Sequence, residues 1–168
     1  MTPSCTSPRR DDQRAAVYAA EIAAFDGTDL ESVIDIDRVL GLVRGVVSTE
    51  WWPGPDVVAR AARTDARSST ARHDGGPVTT IRIARPQATI ATASHELAHA
   101  LASVAAGHGE RFRRAHLDVV SVITNLPGDQ RRGSLHVDQL AGAYAAAGLA
   151  VGERDWPEPP PVNRAIAL

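Results

Sequence analysis

The strongest constraint on this chain is a charged motif embedded in an apolar run. From Thr89 to Ala106 most residues are small or apolar, yet His95-Glu96-Leu97-Ala98-His99 lies in the middle. The run predicts one long helix, broken by Gly107-His108-Gly109. Positions four apart on a helix share a face one turn apart, so both imidazoles can reach one ion. Glu96 sits beside them, where a glutamate can take a proton from a metal-bound water. Zinc brings the pKa of such a water to about 7. The expectation is one Zn2+ per chain, held by His95 and His99, with Glu96 as general base.

A catalytic zinc needs a third protein ligand and an open fourth position. A third histidine at the spacing used by metzincins would fall at position 105, with glycine at 102; these positions hold Ala105 and Ala102. His108 is the best remaining candidate. Continuous helix would carry it about 13.5 Å along the axis from His99, so the chain must turn back between them. Gly107 and Gly109 supply the freedom for that bend. Glu110, His116 and Asp118 are the competing ligands. Asp118 is alternatively an acceptor behind a ligand imidazole, and His116 or Tyr144 could face an oxyanion. His73 and His136 read as ordinary loop and helix-start residues.

The rest of the chain predicts an α+β domain. A helix begins after Asp11-Asp12, whose carboxylates suit its positive end, and runs to about Phe25. A second spans about Asp35 to Val47 and stops at Trp51-Trp52-Pro53-Gly54-Pro55, with the tryptophan pair read as core packing. Asp56 to Arg63, Ser68 to His73 and Val78 to Ala84 read as three short antiparallel strands, the last two joined by Asp74-Gly75-Gly76-Pro77. Helices follow at Glu110 to Ile123 and His136 to Gly148, around a loop from Pro127 to Ser134. Arg111, Arg113 and Arg114 read as a solvated face. Met1 to Arg10 is a polar lead-in, 11–152 a single domain, and 153–168 a Pro-rich tail.

Composition narrows the function classes. The net charge is -2 and the 18 basic residues are all arginine, scattered along the chain. That pattern argues against nucleic acid or an anionic membrane as partner. The lone cysteine, Cys5, permits no internal disulfide, and no apolar run reaches membrane-spanning length. A cytoplasmic location is expected.

His95-Glu96-Leu97-Ala98-His99, with His108-Gly109-Glu110-Arg111-Phe112 beginning nine residues after His99, resembles the HExxH…HGxxF/W pattern of SprT-like and related small zinc metallopeptidases. With an opening segment like Asp12-Gln13-Arg14-Ala15-Ala16-Val17-Tyr18-Ala19-Ala20-Glu21 and a closing helix like Leu140-Ala141-Gly142-Ala143-Tyr144-Ala145-Ala146-Ala147-Gly148, the chain more closely resembles a family of small actinobacterial metallohydrolases, over roughly residues 11–150. The resemblance implies a zincin-like fold with the motif on the central helix, His108 as third zinc ligand, and hydrolase chemistry. The expected activity is hydrolysis of a peptide or amide bond, with a peptide or protein as substrate. The alternatives are a non-catalytic zinc-containing regulatory module and a DNA-associated protease. The absence of cysteine pairs and of a basic stretch weighs against the last. If an extended peptide binds by strand addition, the strand Val78 to Ala84 is the expected edge.

Overall fold

A computed structural model describes residues 11–73, 75–127 and 133–162. The expected lead-in, Asp74 of the predicted turn, part of the loop after Pro127 and the end of the tail lie outside the described residues. Five helices and three strands follow in the order α1 (Arg14–Phe25), α2 (Ile36–Val47), β1 (Asp56–Ala61), β2 (Thr70–His73), β3 (Val78–Ile83), α3 (Ile90–Ala102), α4 (Glu110–Ile123) and α5 (Gly133–Ala146). The architecture is α+β, as the alternation of helical and period-two patterns predicts. Among the described residues no helix is long and apolar enough to cross a membrane.

The sheet differs from the antiparallel expectation. Its order is β1-β3-β2, with β1 parallel and β2 antiparallel to β3. The segment containing β2 acts as the crossover that a parallel pair requires. β3 takes the centre because it is the apolar strand: Thr79, Ile81 and Ile83 are buried, while β1 alternates exposed and half-buried positions. Alternation along each strand predicts its faces but not its neighbours. β3 is therefore no edge, and strand addition to Val78–Ala84 is blocked on both sides. The edge turned toward α3 is β2.

α3 is buried along most of its length, and packs against α4, α2, β2 and β3. Thr89 caps it, its hydroxyl accepting from the Thr92 amide at 3.0 Å. The helix ends at Ala102, four residues short of the predicted boundary. Ser103 takes φ +78°, a short 3₁₀ turn spans Val104–Ala106, and Gly107 follows at φ +57°. The Arg111 Nε donates to the Ala102 carbonyl at 2.8 Å, closing the helix end. The early stop, invisible to propensity because Ala-rich sequence favours continuation, is what returns His108 toward His99.

The three arginines of α4 are not a solvated face. Arg113 is 1% exposed and donates to the His108 and Ala150 carbonyls and to Gln13 Oε1. Arg111 pairs with Asp155 and lies over Trp156, and Arg114 donates to the Gly152 carbonyl. Together they strap the segment after α5 across α4. Asp118 completes the strap, accepting from Arg154 at 2.7 and 3.0 Å and from the Trp156 indole at 2.8 Å. The Trp51 indole donates to the Pro157 carbonyl, so the tryptophan pair is packing, as read.

Ser103 carries the one positive φ among the described non-glycine residues. Such a position costs about 1–3 kcal/mol, and glycine gives back about 0.5–1 kcal/mol in unfolded-state entropy. Ser103→Gly is expected to stabilise the chain by about 1 kcal/mol, raising the melting temperature by about 2–4 °C in thermal unfolding. A lower melting temperature contradicts this reading of the turn.

Candidate metal centre

The turn at 103–107 brings three imidazoles together. One ring nitrogen from each of His95, His99 and His108 lies within 4.8 Å of the others, a group able to hold a metal ion. His95 Nε2 and His108 Nε2 are 3.3 Å apart. Nitrogens at 2.0–2.1 Å from a tetrahedral zinc are about 3.3–3.4 Å apart, so this spacing fits such an ion. Phe112, the aromatic of the HGxxF segment, packs against all three rings at centroid distances of 4.5–5.0 Å.

Two of the rings are held from behind by carboxylates. His95 Nδ1 is 2.8 Å from Glu21 Oε1, and His108 Nδ1 is 2.5 Å from Asp11 Oδ2. Asp11 also accepts from the His108 amide at 3.2 Å. Carboxylate–histidine pairs of this kind fix ring orientation and tautomer at metal sites. His99 Nδ1 is buried and has no hydrogen-bond partner among the described residues. Packing, and whatever occupies the centre, hold that ring.

Glu21 and Asp11 come from or just before α1, and sequence reasoning missed both. Glu21 was detectable. Val17, Ala20, Glu21, Ala24 and Phe25 form the buried stripe of α1, and a carboxylate in such a stripe needs a partner. Asp11 looked like a dipole-complementing residue ahead of α1, yet α1 has no side-chain cap and Asp11 turns to His108 instead. Gly107 permits this, since a Cβ there would meet Asp11 Oδ2 at 3.1 Å.

The competing residues lie elsewhere. Glu110 is exposed at the start of α4. Asp118 belongs to the C-terminal strap. His116 is fully buried beneath the site: it is 3.1 Å from Ser94 Oγ, 2.9 Å from Tyr144 Oη and 3.4 Å from Glu21 Oε1. Ser94 donates its proton to the Ala91 carbonyl, so it accepts from His116 Nε2, and Tyr144 donates to Nδ1. Glu21, His95 and His116 also lie within 4.8 Å of one another, but in this arrangement both His116 nitrogens are engaged by protein. His116 and Tyr144 form a buried support under Glu21 and face no cleft. His136 sits in the first turn of α5 near Asp29, and His73 is exposed at the end of β2.

Glu96 faces a cleft of about 400 Å³ that it lines with His95, Tyr18 and Arg14. Burial and the charge of Glu21 raise its pKa to about 7, against the lowering effects of a hydrogen bond from the Ala71 backbone and of the Arg14 charge. Burial drives Glu21 to about 8, and holds His95 at about 4 and His99 at about 3. His108 and His116 are lowered by the same cause. Burial would raise Asp11, but its hydrogen bond with His108 and that ring's charge lower it overall.

Two expectations follow from this electrostatic arrangement. Asp11→Asn and Glu21→Gln should each weaken zinc binding about 10- to 100-fold by competition with a chromogenic chelator, and unchanged affinity contradicts the bracing role. The metal-free chain should also have a stability optimum near pH 6.5. Below it, the unfolded histidines take up protons that the folded, depressed ones refuse, so stability falls toward pH 4. The raised glutamates act oppositely, costing stability as pH rises from about 4.5, but four depressed histidines outweigh them until about pH 6.5. Above that, Glu21 and Glu96 stay protonated only in the folded chain, and stability declines toward pH 8. Denaturant unfolding in chelator across pH 5–8 tests this; a monotonic rise contradicts it.

No protein-family model matches the chain, and neither a curated protein nor a solved structure matches it.

Proposed function

We propose that the chain is a zinc-dependent hydrolase of peptide or related amide bonds, with His95, His99 and His108 as ligands and Glu96 as general base. The observation that carries this reading is the convergence of three imidazole nitrogens, two of them braced by carboxylates, with one of the three, His95, lining a cleft together with Glu96. A donor set of three neutral imidazoles suits zinc among the divalent metals and leaves the fourth position for solvent or substrate. The placement of α3 beside a sheet edge is read as zincin-like.

Bound zinc supplies Lewis acidity and brings the pKa of water in its open position to about 7. The remaining chemistry belongs to the chain. Glu21 and Asp11 hold the His95 and His108 rings in the tautomer whose free nitrogen faces the centre. Glu96, with a pKa near neutrality, accepts a proton from the attacking water and passes it to the leaving nitrogen.

Zinc-loaded protein is expected to hydrolyse members of a short-peptide library. Glu96→Gln should retain one zinc per chain by elemental analysis while kcat falls about 10²- to 10⁴-fold. Turnover that survives this substitution defeats the assignment. Zinc content with no turnover in the unmodified protein supports a structural or regulatory centre instead.

A further inference from the structure

The cleft that reaches Glu96 is small and unevenly furnished. Its volume of about 400 Å³ falls in the range of small-ligand pockets. The edge that would bind an extended chain is partly used. The Ser69 amide of the segment leading into β2 donates to Gln87 Oε1 at 2.7 Å. Main-chain pairing at Ser69 is therefore closed, and the side chains lining the cleft carry the selection.

Those side chains are of two kinds. Tyr18, Ile22 and Val33 are 39%, 62% and 62% exposed, and all three line this cleft. Large apolar groups left open beside a reactive centre are a contact surface for an apolar substrate group. Arg14 is the only arginine lining the cleft, and makes no ion pair with any described carboxylate. The guanidinium lies 5.5 Å from the Tyr18 ring centre, and Tyr18 stacks on His95 at 5.1 Å with 13° between the planes. Arg14 and His95 thus both lie against the Tyr18 ring. Three acids line the same cleft: Glu21 is engaged by His95, Glu96 is buried, and Glu31 is exposed at its rim.

We infer that the site takes a short substrate with a free terminal carboxylate and an apolar last residue, the carboxylate held by Arg14 and the side chain by the Tyr18–Ile22–Val33 wall. Arginine suits this task because its planar fork meets a carboxylate with two parallel hydrogen bonds. The bond cleaved is then the amide nearest the terminus. This deepens the hydrolase reading and rests on it for the cleavage step, whereas carboxylate recognition stands independently of turnover.

The test separates the two. Zinc-loaded Glu96→Gln protein is titrated calorimetrically with N-acetyl-leucyl-leucine, with its C-terminal amide, and with the amide carrying Glu in place of the last Leu. The free acid should bind about tenfold or more tightly than its amide, the margin of a charge-assisted pair. Adding Arg14→Gln should level the acid and the amide, and Arg14→Lys should keep part of the preference. Equal binding of acid and amide before substitution overturns the inference, as does an Arg14→Gln effect equal on both ligands. Tight binding of the glutamyl amide also overturns it, because Arg14 would then read a side-chain carboxylate. A preserved acid preference in a protein that cleaves nothing would uphold the subsite and sink the hydrolase. Cleavage of acid and amide at equal rates would do the reverse.

Discussion

Two imidazole nitrogens 3.3 Å apart, each ring backed by a buried or half-buried carboxylate, set the terms for everything around them. Without metal, three protons bridge the row. Protonated Glu21 donates to His95, His95 donates to His108, and His108 donates to Asp11. The tautomers follow from this network. A cation held by His95 and His108 would displace one proton, leaving their two Nδ1–H groups for the carboxylates. Burial makes Glu21 and Glu96 hold protons near neutral pH and makes the imidazoles refuse them. The same low-polarity surroundings that are costly for isolated charges thus present a set of neutral nitrogens suited to a divalent ion.

The fold serves this row through three independent pieces of chain. α3 contributes His95, Glu96 and His99 from a helix almost wholly enclosed by α2, α4 and the sheet. The turn at Ser103–Gly107 delivers His108, and is itself held by Arg111 on the Ala102 carbonyl and Arg113 on the His108 carbonyl. α1 lies over the site, contributing Glu21 below His95 and Tyr18 stacked on the same ring, with Asp11 arriving just before the helix. The segment after α5 reaches Arg111, Arg113, Arg114 and Asp118, so it ties down the helix that begins two residues after His108.

Local pattern carried much of this. The i, i+4 histidines, the helix of Phe112 and the need for a reversal before His108 can be read from spacing alone, because each depends on helical geometry over a few residues. The site's carboxylates could not be read that way. Asp11 and His108 are far apart in sequence, and nothing near Asp11 distinguishes a residue ahead of a helix from a brace for a distant ring. Arg113 and Asp118 were misread for the same reason: their partners, His108, Ala150 and Arg154, are set by tertiary packing. Strand order failed differently. Each strand's alternation was visible, but the parallel pairing of β1 with β3 depends on where the crossover lays β2. The boundary of α3 was placed too late because an alanine-rich run gives no local reason to stop at Ala102.

The central claim concerns coordination, and X-ray absorption at the zinc edge of the loaded protein tests it most directly. The account predicts about three imidazole nitrogens and one solvent oxygen at about 2.0–2.1 Å, with one nitrogen lost in His108→Ala. A first shell unchanged by that substitution, or one without imidazole scattering, would contradict it.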